Sequence, residues 1–283
     1  MHLTQALRGV LWMGGAVLSF SAMAIAAREL LAHMQPFQVL FVRSMVMLAI
    51  VLVIVAQAEP GAAGTRRLPL HALRNLVHFG GQYCWVFAIG ALPLATVFAI
   101  EFTMPVWTAV LAAVLLGERL NRGRVVMLVL GLAGVLIILR PGFGFFQLAT
   151  LVALAAAFLY AGNMIATKRL SATEPPLAVL FWMSVMQTPL SLVAALPQWV
   201  APPASTLPWI GLIGVGSYTA HYCMTRAFKL ADASVVVPID FTRLPLIAVV
   251  GAVFYGEPFD PWIIVGALVI FAGTYYSLSR ERR

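Results

Sequence analysis

Charged residues are scarce in this sequence, and their scarcity limits the class of protein it can encode. Only 10% of its 283 residues are charged, with 10 acidic and 18 basic side chains, while 62% are apolar. In soluble domains about a quarter of the residues are charged. Apolar runs of about 18 residues or more recur along the whole length, close to the ~20 residues that cross a bilayer. The sequence therefore predicts an integral membrane protein.

Cysteine is nearly absent, and nothing in the sequence has the spacing of a metal site. The two cysteines, Cys84 and Cys223, both lie inside apolar runs. They form neither a disulfide framework nor a zinc motif, and buried free cysteine usually behaves as a small hydrophobic residue. The sequence predicts no metal and no cofactor.

Sequence motifs of enzymes and of ATP-driven machines are also missing. There is no HExxH, no GxSxG, no paired acidic motif and no phosphate-binding loop. A membrane-embedded enzyme needs a convergent nucleophile–base pair or a metal cluster. The expectation is a protein that is not an enzyme, with a lipid-modifying transferase as the alternative. A receptor or scaffold is less favoured, because the short connections leave no room for extramembrane domains.

The apolar runs divide into ten predicted transmembrane helices. Turn residues mark the breaks between them, as in Glu59-Pro60-Gly61 and Ala201-Pro202-Pro203. The predicted spans are 8–27, 36–57, 71–90, 93–116, 122–140, 146–168, 176–197, 207–228, 233–255 and 260–279.

The basic residues favour one side of the predicted membrane. With a cytoplasmic N-terminus, fourteen of the 18 Lys and Arg residues fall at inner ends, two (Arg28 and Arg140) at outer ends, and two (Arg43 and Arg243) inside spans. Cytoplasmic loops of membrane proteins carry such an excess. Both termini are therefore expected in the cytoplasm. The fourteen are Arg8, Arg66, Arg67, Arg74, Arg119, Arg122, Arg124, Lys168, Arg169, Arg226, Lys229, Arg280, Arg282 and Arg283.

The second half of the chain repeats the first. A shift of 139 residues places 100–103 (Ile-Glu-Phe-Thr) on 239–242 (Ile-Asp-Phe-Thr), and the Gly-Glu pair 117–118 on 256–257. Five spans is an odd number, so the second half enters the membrane inverted. The predicted domains are residues 1–141 and 142–283. Inverted repeats of this kind are the architecture of many secondary transporters.

The repeated motifs resemble those of the EamA branch of the drug/metabolite transporter superfamily. The resemblance covers nearly the whole chain, twice. It rests on 11–14 (Leu-Trp-Met-Gly), on Arg43 after Phe41-Val42, and on Pro105 through 115–120 (Leu-Leu-Gly-Glu-Arg-Leu) to Gly134, with a second copy from Pro245 through Gly256-Glu257 to Gly273. It implies an all-α fold of ten transmembrane helices in two inverted five-helix repeats. It also implies export of amino acids and related metabolites.

Four charged residues inside spans need an explanation, because each central charge costs about 2.5–3.5 kcal/mol on insertion scales. Arg43 and Glu101 fall at a similar depth, ~12 Å from the outer ends of their helices at 1.5 Å per residue. They are interpreted as an ion pair, either a gate or a structural lock. Asp240 and Arg243, three residues apart, form a second pair in the inner half. A role of the carboxylates in proton coupling is a hypothesis.

Two helices carry polar stripes at helical spacing. The third span presents His71, Arg74, Asn75, His78, Gln82 and Trp85 along one face, and the eighth presents Tyr218, His221, Tyr222, Thr225 and Lys229. Such stripes must face protein or water rather than lipid. Because Gln82 and His221 are repeat equivalents, the two stripes are predicted to line a central cavity. The candidate substrate-binding residues are Ser19, Met23, His78, Gln82, Tyr83, Trp85, Glu101, Trp107, Tyr160, Asn163, Tyr218, His221, Tyr222 and Thr225.

The predicted cavity suits a small zwitterion or neutral amphipath, because it combines rings, amides and hydroxyls with few unpaired charges. Aromatic or bulky apolar amino acids are favoured, with other amphipathic metabolites or drugs as the alternative. The expected partners are this small molecule and the lipid bilayer, with no nucleic acid. A functional monomer in a bacterial-type plasma (inner) membrane completes the prediction.

Overall fold

A computed structural model describes residues 2–117, 121–140, 147–171 and 173–281. Three predictions fall outside these residues: the motif residues Glu118, Arg119 and Leu120, the repeat boundary at 141/142, and the terminal arginines Arg282 and Arg283. The described chain is helical throughout, with no strand among its described residues. The prediction of an all-α membrane protein is confirmed.

Twelve α-helices make up the described chain, together with two short 3₁₀ turns between α8 and α9. The helices are α1 (His2–Leu31), α2 (Pro36–Ala56), α3 (Leu68–Ala91), α4 (Leu94–Glu101), α5 (Met104–Leu116), α6 (Arg122–Leu139), α7 (Leu148–Ser171), α8 (Pro176–Ala195), α9 (Leu207–Leu230), α10 (Ala233–Phe241), α11 (Arg243–Tyr255) and α12 (Pro261–Glu281).

Eight stretches of the described chain are long and apolar enough to cross a membrane, counting α4 with α5 and α10 with α11 as one stretch each. The two remaining long helices are α3 and α9, and each has 24 residues. Both are long enough to span, at 1.5 Å per residue. They fall below the others in mean hydropathy because they carry the two polar stripes.

The predicted fourth and ninth spans are not continuous helices. α4 ends at Glu101 and α5 begins at Met104, while α10 ends at Phe241 and α11 begins at Arg243. Pro105 and Pro245 explain both breaks. A proline ring clashes with the carbonyl four residues earlier, here those of Glu101 and Phe241, and offers no N–H to it. The breaks thus lie at repeat-equivalent positions and interrupt both spans halfway along their length.

Helix packing is symmetric under exchange of the two halves. α1 packs on α9 and α3 packs on α7, which are equivalent pairings, while α2 packs on α8 and α6 on α12. Phe102 and Phe241, equivalent under the 139-residue shift, stack with ring centroids 4.2 Å apart. A residue that meets its own equivalent lies close to the axis that relates the two halves. The broken spans therefore cross near the centre of the molecule.

Glycines allow α6 and α12 to pack closely. A Cβ added to Gly134 would lie 2.6 Å from the Gly266 carbonyl oxygen, and one added to Gly266 would lie 2.7 Å from that of Gly134. Gly273 faces Met127 of α6 in the same interface, whereas Gly131 packs on Val106 of α5. Small residues at such crossings allow backbones to approach in a membrane, where helices gain little from hydrophobic burial.

Replacing Gly266 by alanine should destabilise the protein by about 1–3 kcal/mol, because the new methyl group overpacks the α6–α12 contact. Thermal unfolding of the purified protein in detergent measures the effect. Gly211→Ala is the matched control, since a Cβ at Gly211 meets nothing within 4 Å. Equal melting temperatures for the two variants would contradict the assigned packing.

Candidate functional site

The polar stripe of α3 is enclosed by protein along its whole length. His71, Arg74, Asn75, His78, Gln82 and Trp85 are each at most 6% exposed. Arg74, assigned above to the flanking basic residues, thus lies inside the helix with a buried side chain. In a bilayer such groups need partners from neighbouring helices.

α7 and α8 supply partners for the first half of the stripe. Arg74 donates from Nε to Thr167 Oγ1 (3.1 Å) and from Nη1 to the Asn75 Oδ1 (3.0 Å). The Asn75 amide donates to the Trp182 carbonyl oxygen at 3.3 Å. The Gln187 amide lies 3.0 Å from His78 Nδ1. These contacts tie α3 to its neighbours by hydrogen bonds rather than by charge pairs.

The stripe of α9 meets that of α3 at two histidines. The rings of His78 and His221 lie 6.5 Å apart between centroids. Tyr160 of α7 stands 5.8 Å from His78, and Phe20 of α1 stands 5.8 Å from His221. Gln82 lies 3.4 Å from the His78 ring. Residues from both halves of the chain therefore converge at this point.

Arg43 approaches the same region from α2. Its side chain is buried, and Nε donates to Ser217 Oγ of α9 at 2.8 Å. Ser217 is the repeat equivalent of His78 under the 139-residue shift. The predicted Arg43–Glu101 ion pair is wrong, since Glu101 pairs elsewhere.

Glu101 and Asp240 share a single guanidinium. Arg243 Nη2 lies 3.2 Å from Glu101 Oε1 and 3.4 Å from Asp240 Oδ2. The Trp85 indole also donates to Glu101 Oε2 at 2.7 Å. The predicted Asp240–Arg243 pair is present. The prediction that Glu101 belongs to a separate ion pair is wrong, because Glu101 contacts the same guanidinium. Equal depth along a helix is no guide to the direction in which a side chain points, and the breaks in both spans bring the carboxylates together.

Aromatic rings surround the guanidinium of Arg243. Its central carbon lies 4.8 Å from the ring centroid of Phe20, 4.9 Å from Phe98 and 5.1 Å from Phe102. Cation–π contacts are stronger where the cation is desolvated, as here. Two carboxylates and three rings thus hold one cation beside the crossing of the broken spans.

The remaining candidate residues are distributed around this centre. Ser19 accepts a hydrogen bond from Thr219 at 2.9 Å, and Trp107 donates to Thr103 Oγ1 at 3.1 Å. Tyr83 points away from the stripe and stacks on Phe37, with centroids 4.3 Å apart. Met23 lies near Gly216, and Asn163 Oδ1 is buried without a hydrogen-bond partner among the described residues. The Thr225 hydroxyl donates to the His221 carbonyl oxygen. Tyr218 stacks on Tyr222, whose side chain is exposed.

A cavity of the described chain lies away from the two stripes. It has a volume of about 550 Å³ and adjoins the ends of α1 and α3, where Arg28, Gln35 and Phe87 line it. The residues expected to line a central cavity instead contact one another. This structure is closed around the histidine pair.

Contacts that close the two ends of the bundle were missed by sequence reasoning. At one end Glu257 accepts from Arg28 at 2.9 Å and from the Leu94 backbone N–H at 2.8 Å. This carboxylate from the second half caps the N-terminus of α4, where the helix dipole favours negative charge. The Gly-Glu pair at 256–257 repeats the pair at 117–118, which marks Glu257 as a residue of interest. Its partners Arg28 and Leu94 could not be predicted, because they are distant in sequence.

Thr65, His71 and Glu174 form a clasp at the other end. Both Thr65 and His71 hydrogen-bond to the Glu174 carboxylate, which lies in the connection between α7 and α8. Burial alone would raise the pKa of Glu174, but these hydrogen bonds outweigh it and hold the pKa below its ordinary value. The clasp therefore favours the ionised carboxylate.

Comparison with known proteins identifies the family. The model of the EamA-like transporter family matches residues 7–140 and again 147–279. The chain belongs to the EamA-like transporter family. It is a multi-pass membrane protein and a transporter rather than an enzyme, as its sequence indicates.

Relatives of this EamA-like transporter carry different substrates. The S-adenosylmethionine uptake transporter of Rickettsia prowazekii (strain Madrid E) is 25% identical over 277 residues, covering 98% of this chain and 94% of the relative. The riboflavin transporter of Vibrio cholerae is 30% identical over 226 residues (77% and 76%). The pseudopaline exporter CntI of Pseudomonas aeruginosa is 27% identical over 280 residues (97% of each).

A crystal structure of a protein that shares 18% sequence identity matches this fold. The TM-score is 0.64, over 96% of this chain and 94% of the other. At this identity the match shows the fold alone. The relatives show that the EamA-like chain is a small-molecule transporter.

Replacing Arg243 by methionine, the residue at the equivalent position 104, should destabilise the transporter. Two carboxylates would lose their shared cation, and breaking a buried ion pair costs about 3–5 kcal/mol, reduced here because both carboxylates are partly exposed. Thermal unfolding measures the loss. Adding Glu101→Gln and Asp240→Asn should restore much of it. A triple variant no more stable than Arg243→Met would contradict the shared pairing.

Glu174→Gln should lower the melting temperature at neutral pH and lose this effect in acid. Because the pKa of Glu174 is lowered on folding, its stabilisation is present above the unfolded pKa, ~4.3, and is lost as pH falls through the folded value. Melting temperatures measured between pH 7 and pH 3 check this. A difference between wild type and variant that persists unchanged at pH 3 would exclude an ionised clasp.

Proposed function

We propose that this EamA-like chain is a gradient-driven secondary transporter that exports small amphipathic metabolites, most favourably amino acids with aromatic or bulky apolar side chains. Substrate would bind where the stripes of α3 and α9 meet. Access would alternate between the two sides of the membrane as the halves, residues 1–141 and 142–283, move relative to each other.

The approach of His78 to His221 is the observation that carries this proposal. Each histidine belongs to a polar stripe, one stripe in each half, and the stripes meet at these two rings. Polar side chains at membrane depth are retained mainly for transport paths and coupling sites. A site between two equivalent helices also permits equivalent rearrangements towards either side.

Mixed chemistry around the histidines supports a small amphipathic substrate. Amide groups of Gln82 and Gln187 lie within 3.4 Å of His78, and the rings of Tyr160 and Phe20 stand beside the histidine pair. Amides orient a polar head by hydrogen bonds, and rings bind an apolar body. The described chain holds no cluster of three metal-ligating side chains for a free metal ion.

Relatives of the chain include both uptake transporters and an exporter, so direction and substrate are part of the proposal. S-adenosylmethionine and riboflavin, named for two of the relatives, represent the alternative of other amphipathic metabolites. We place both termini in the cytoplasm of a bacterial-type inner membrane, because most basic residues cluster at the predicted inner ends. Because two fused repeats would complete one pathway, we propose a functional monomer. No nucleic acid is among the proposed partners.

The contacts at the two ends would act as alternating seals. The Arg28–Glu257–Leu94 contact joins both halves at one end, and the Thr65–His71–Glu174 clasp closes the other. Opening either end breaks a small number of polar contacts rather than a packed core. The breaks at Pro105 and Pro245 provide hinges near the centre, where a change in backbone direction moves one end relative to the other.

Transport into proteoliposomes tests the proposal. We expect saturable movement of radiolabelled phenylalanine or tryptophan, from a panel that includes leucine, S-adenosylmethionine and riboflavin, with and without a pH gradient. His78→Ala should reduce the rate about tenfold, the effect of ~1.4 kcal/mol of lost binding. Arg122→Ala, at the exposed start of α6, is the control and should transport normally.

Two outcomes would contradict the proposal at different levels. Transport of S-adenosylmethionine or riboflavin without any amino acid would refute the amino-acid substrates and retain the transporter. Equal rates for His78→Ala and wild type would refute the site at the histidine pair.

A further inference from the structure

Arg43 differs from three other arginines that reach into this protein, because it has no acidic partner. Arg28 pairs with Glu257, Arg140 with Asp260, and Arg243 with Glu101 and Asp240. Among the described residues, no carboxylate lies within 4 Å of Arg43, although its side chain is only 5% exposed. An unpaired guanidinium inside a membrane protein carries a large desolvation cost.

The surroundings of Arg43 increase this positive charge rather than neutralise it. Arg74 is also buried, and its described partners are the neutral side chains of Thr167 and Asn75. Both arginines lie within electrostatic range of His78 and His221. The carboxylates of the spans are already shared by Arg243. The region where the stripes meet therefore has an excess of positive charge.

The guanidinium of Arg43 has unused donors. Its Nε is bound to Ser217, which fixes the plane of the group, while its two terminal nitrogens make no hydrogen bond to a described residue. They are not among the fully buried polar atoms that lack a partner, so they are not completely enclosed by protein. A planar guanidinium held by Nε and free at its terminal nitrogens is suited to bind a carboxylate through two parallel hydrogen bonds.

We infer that Arg43 binds the carboxylate of the transported molecule, with Ser217 holding the guanidinium in place. This deepens the proposed function by assigning the substrate class: a small metabolite with a free carboxylate. The substrate supplies the missing counter-charge, so its binding removes the cost of the unpaired arginine. Because the cost is present only in the empty protein, it favours the carboxylate over a neutral analogue.

An apolar cluster lies beside Arg43, where the apolar part of such a molecule would pack. The Ser217 hydroxyl contacts Met47 Sδ at 3.9 Å, and Met47 packs with Val51, Met183 and Tyr218. Methionine adapts its shape to different apolar partners. In this part of the repeat the shift is 140 residues, since 39–41 (Val-Leu-Phe) matches 179–181 (Val-Leu-Phe). Met183 is therefore the repeat equivalent of Arg43, and the anion-binding group is present in only one half. The site is polar on one side and apolar on the other, which fits an amphipathic carboxylate.

Binding to the purified full-length chain in nanodiscs tests this inference without relying on transport. The probes are phenylalanine, 3-phenylpropionate and phenylalaninamide; the last keeps the ring and the amine but lacks the carboxylate. We expect wild type to bind both carboxylates, and phenylalaninamide about 30-fold more weakly, the effect of ~2 kcal/mol for a buried charge pair.

Arg43→Met provides the matched comparison, because methionine occupies the equivalent position 183. The variant should bind phenylalanine and phenylalaninamide with equal, weak affinity, and Arg43→Lys should restore part of the preference for the carboxylate. Arg122→Met, which removes an exposed charge far from the site, should keep the full preference. Melting temperatures of all variants separate lost binding from lost folding.

If Arg43 has a purely structural role, Arg43→Met should weaken the binding of all three probes by the same factor. That result would overturn the inference. Equal binding of phenylalanine and its amide by wild type would overturn it too, as would binding of none of the carboxylates. The proposed transport function survives each of these results if the proteoliposomes still move riboflavin or another molecule without a carboxylate.

Discussion

The cost of placing charged and amide side chains in hydrocarbon determines how these helices are arranged. α3 carries six polar or aromatic groups along one face, and all of them are buried against α7, α8 and the centre of the molecule. Lipid offers such groups no hydrogen bonds, so every one must be satisfied by protein or by substrate. The packing of α3 on α7 and α8 encloses the stripe of α3, whereas the stripe of α9 is partly exposed, at Tyr222 and Lys229.

The proposed binding residue departs from the internal symmetry of the chain. Phe102 and Phe241 are equivalent and stack on each other, which makes the crossing of the broken spans a symmetric element. Arg43, by contrast, stands opposite a methionine in the other half, and Arg243 does the same. In the proposed mechanism the symmetric parts rearrange equivalently towards either side, and the unequal parts recognise an asymmetric molecule.

Local sequence patterns predicted the fold and the buried face of α3, because a run of 20 apolar residues and a polar stripe of period 3.6 are properties of a single helix. Contacts between helices were predicted less well. Arg43 was assigned to Glu101 from equal depth, yet depth leaves the rotation of each helix undetermined, and Pro105 redirects the chain just beyond Glu101. Ser217 and Glu174, which complete the site and its clasp, lie on segments with no recognisable pattern of their own.

Accessibility of cysteines placed at positions 78 and 221 tests the central claim most directly, that these two positions face each other between the halves and not the lipid. Cys84 and Cys223 are first replaced by alanine. Both new cysteines should react slowly with a charged, water-soluble methanethiosulfonate, and a transported molecule should slow the reaction further. Reaction with membrane-soluble maleimides alone, unaffected by any transported molecule, would place the positions in lipid and contradict the account.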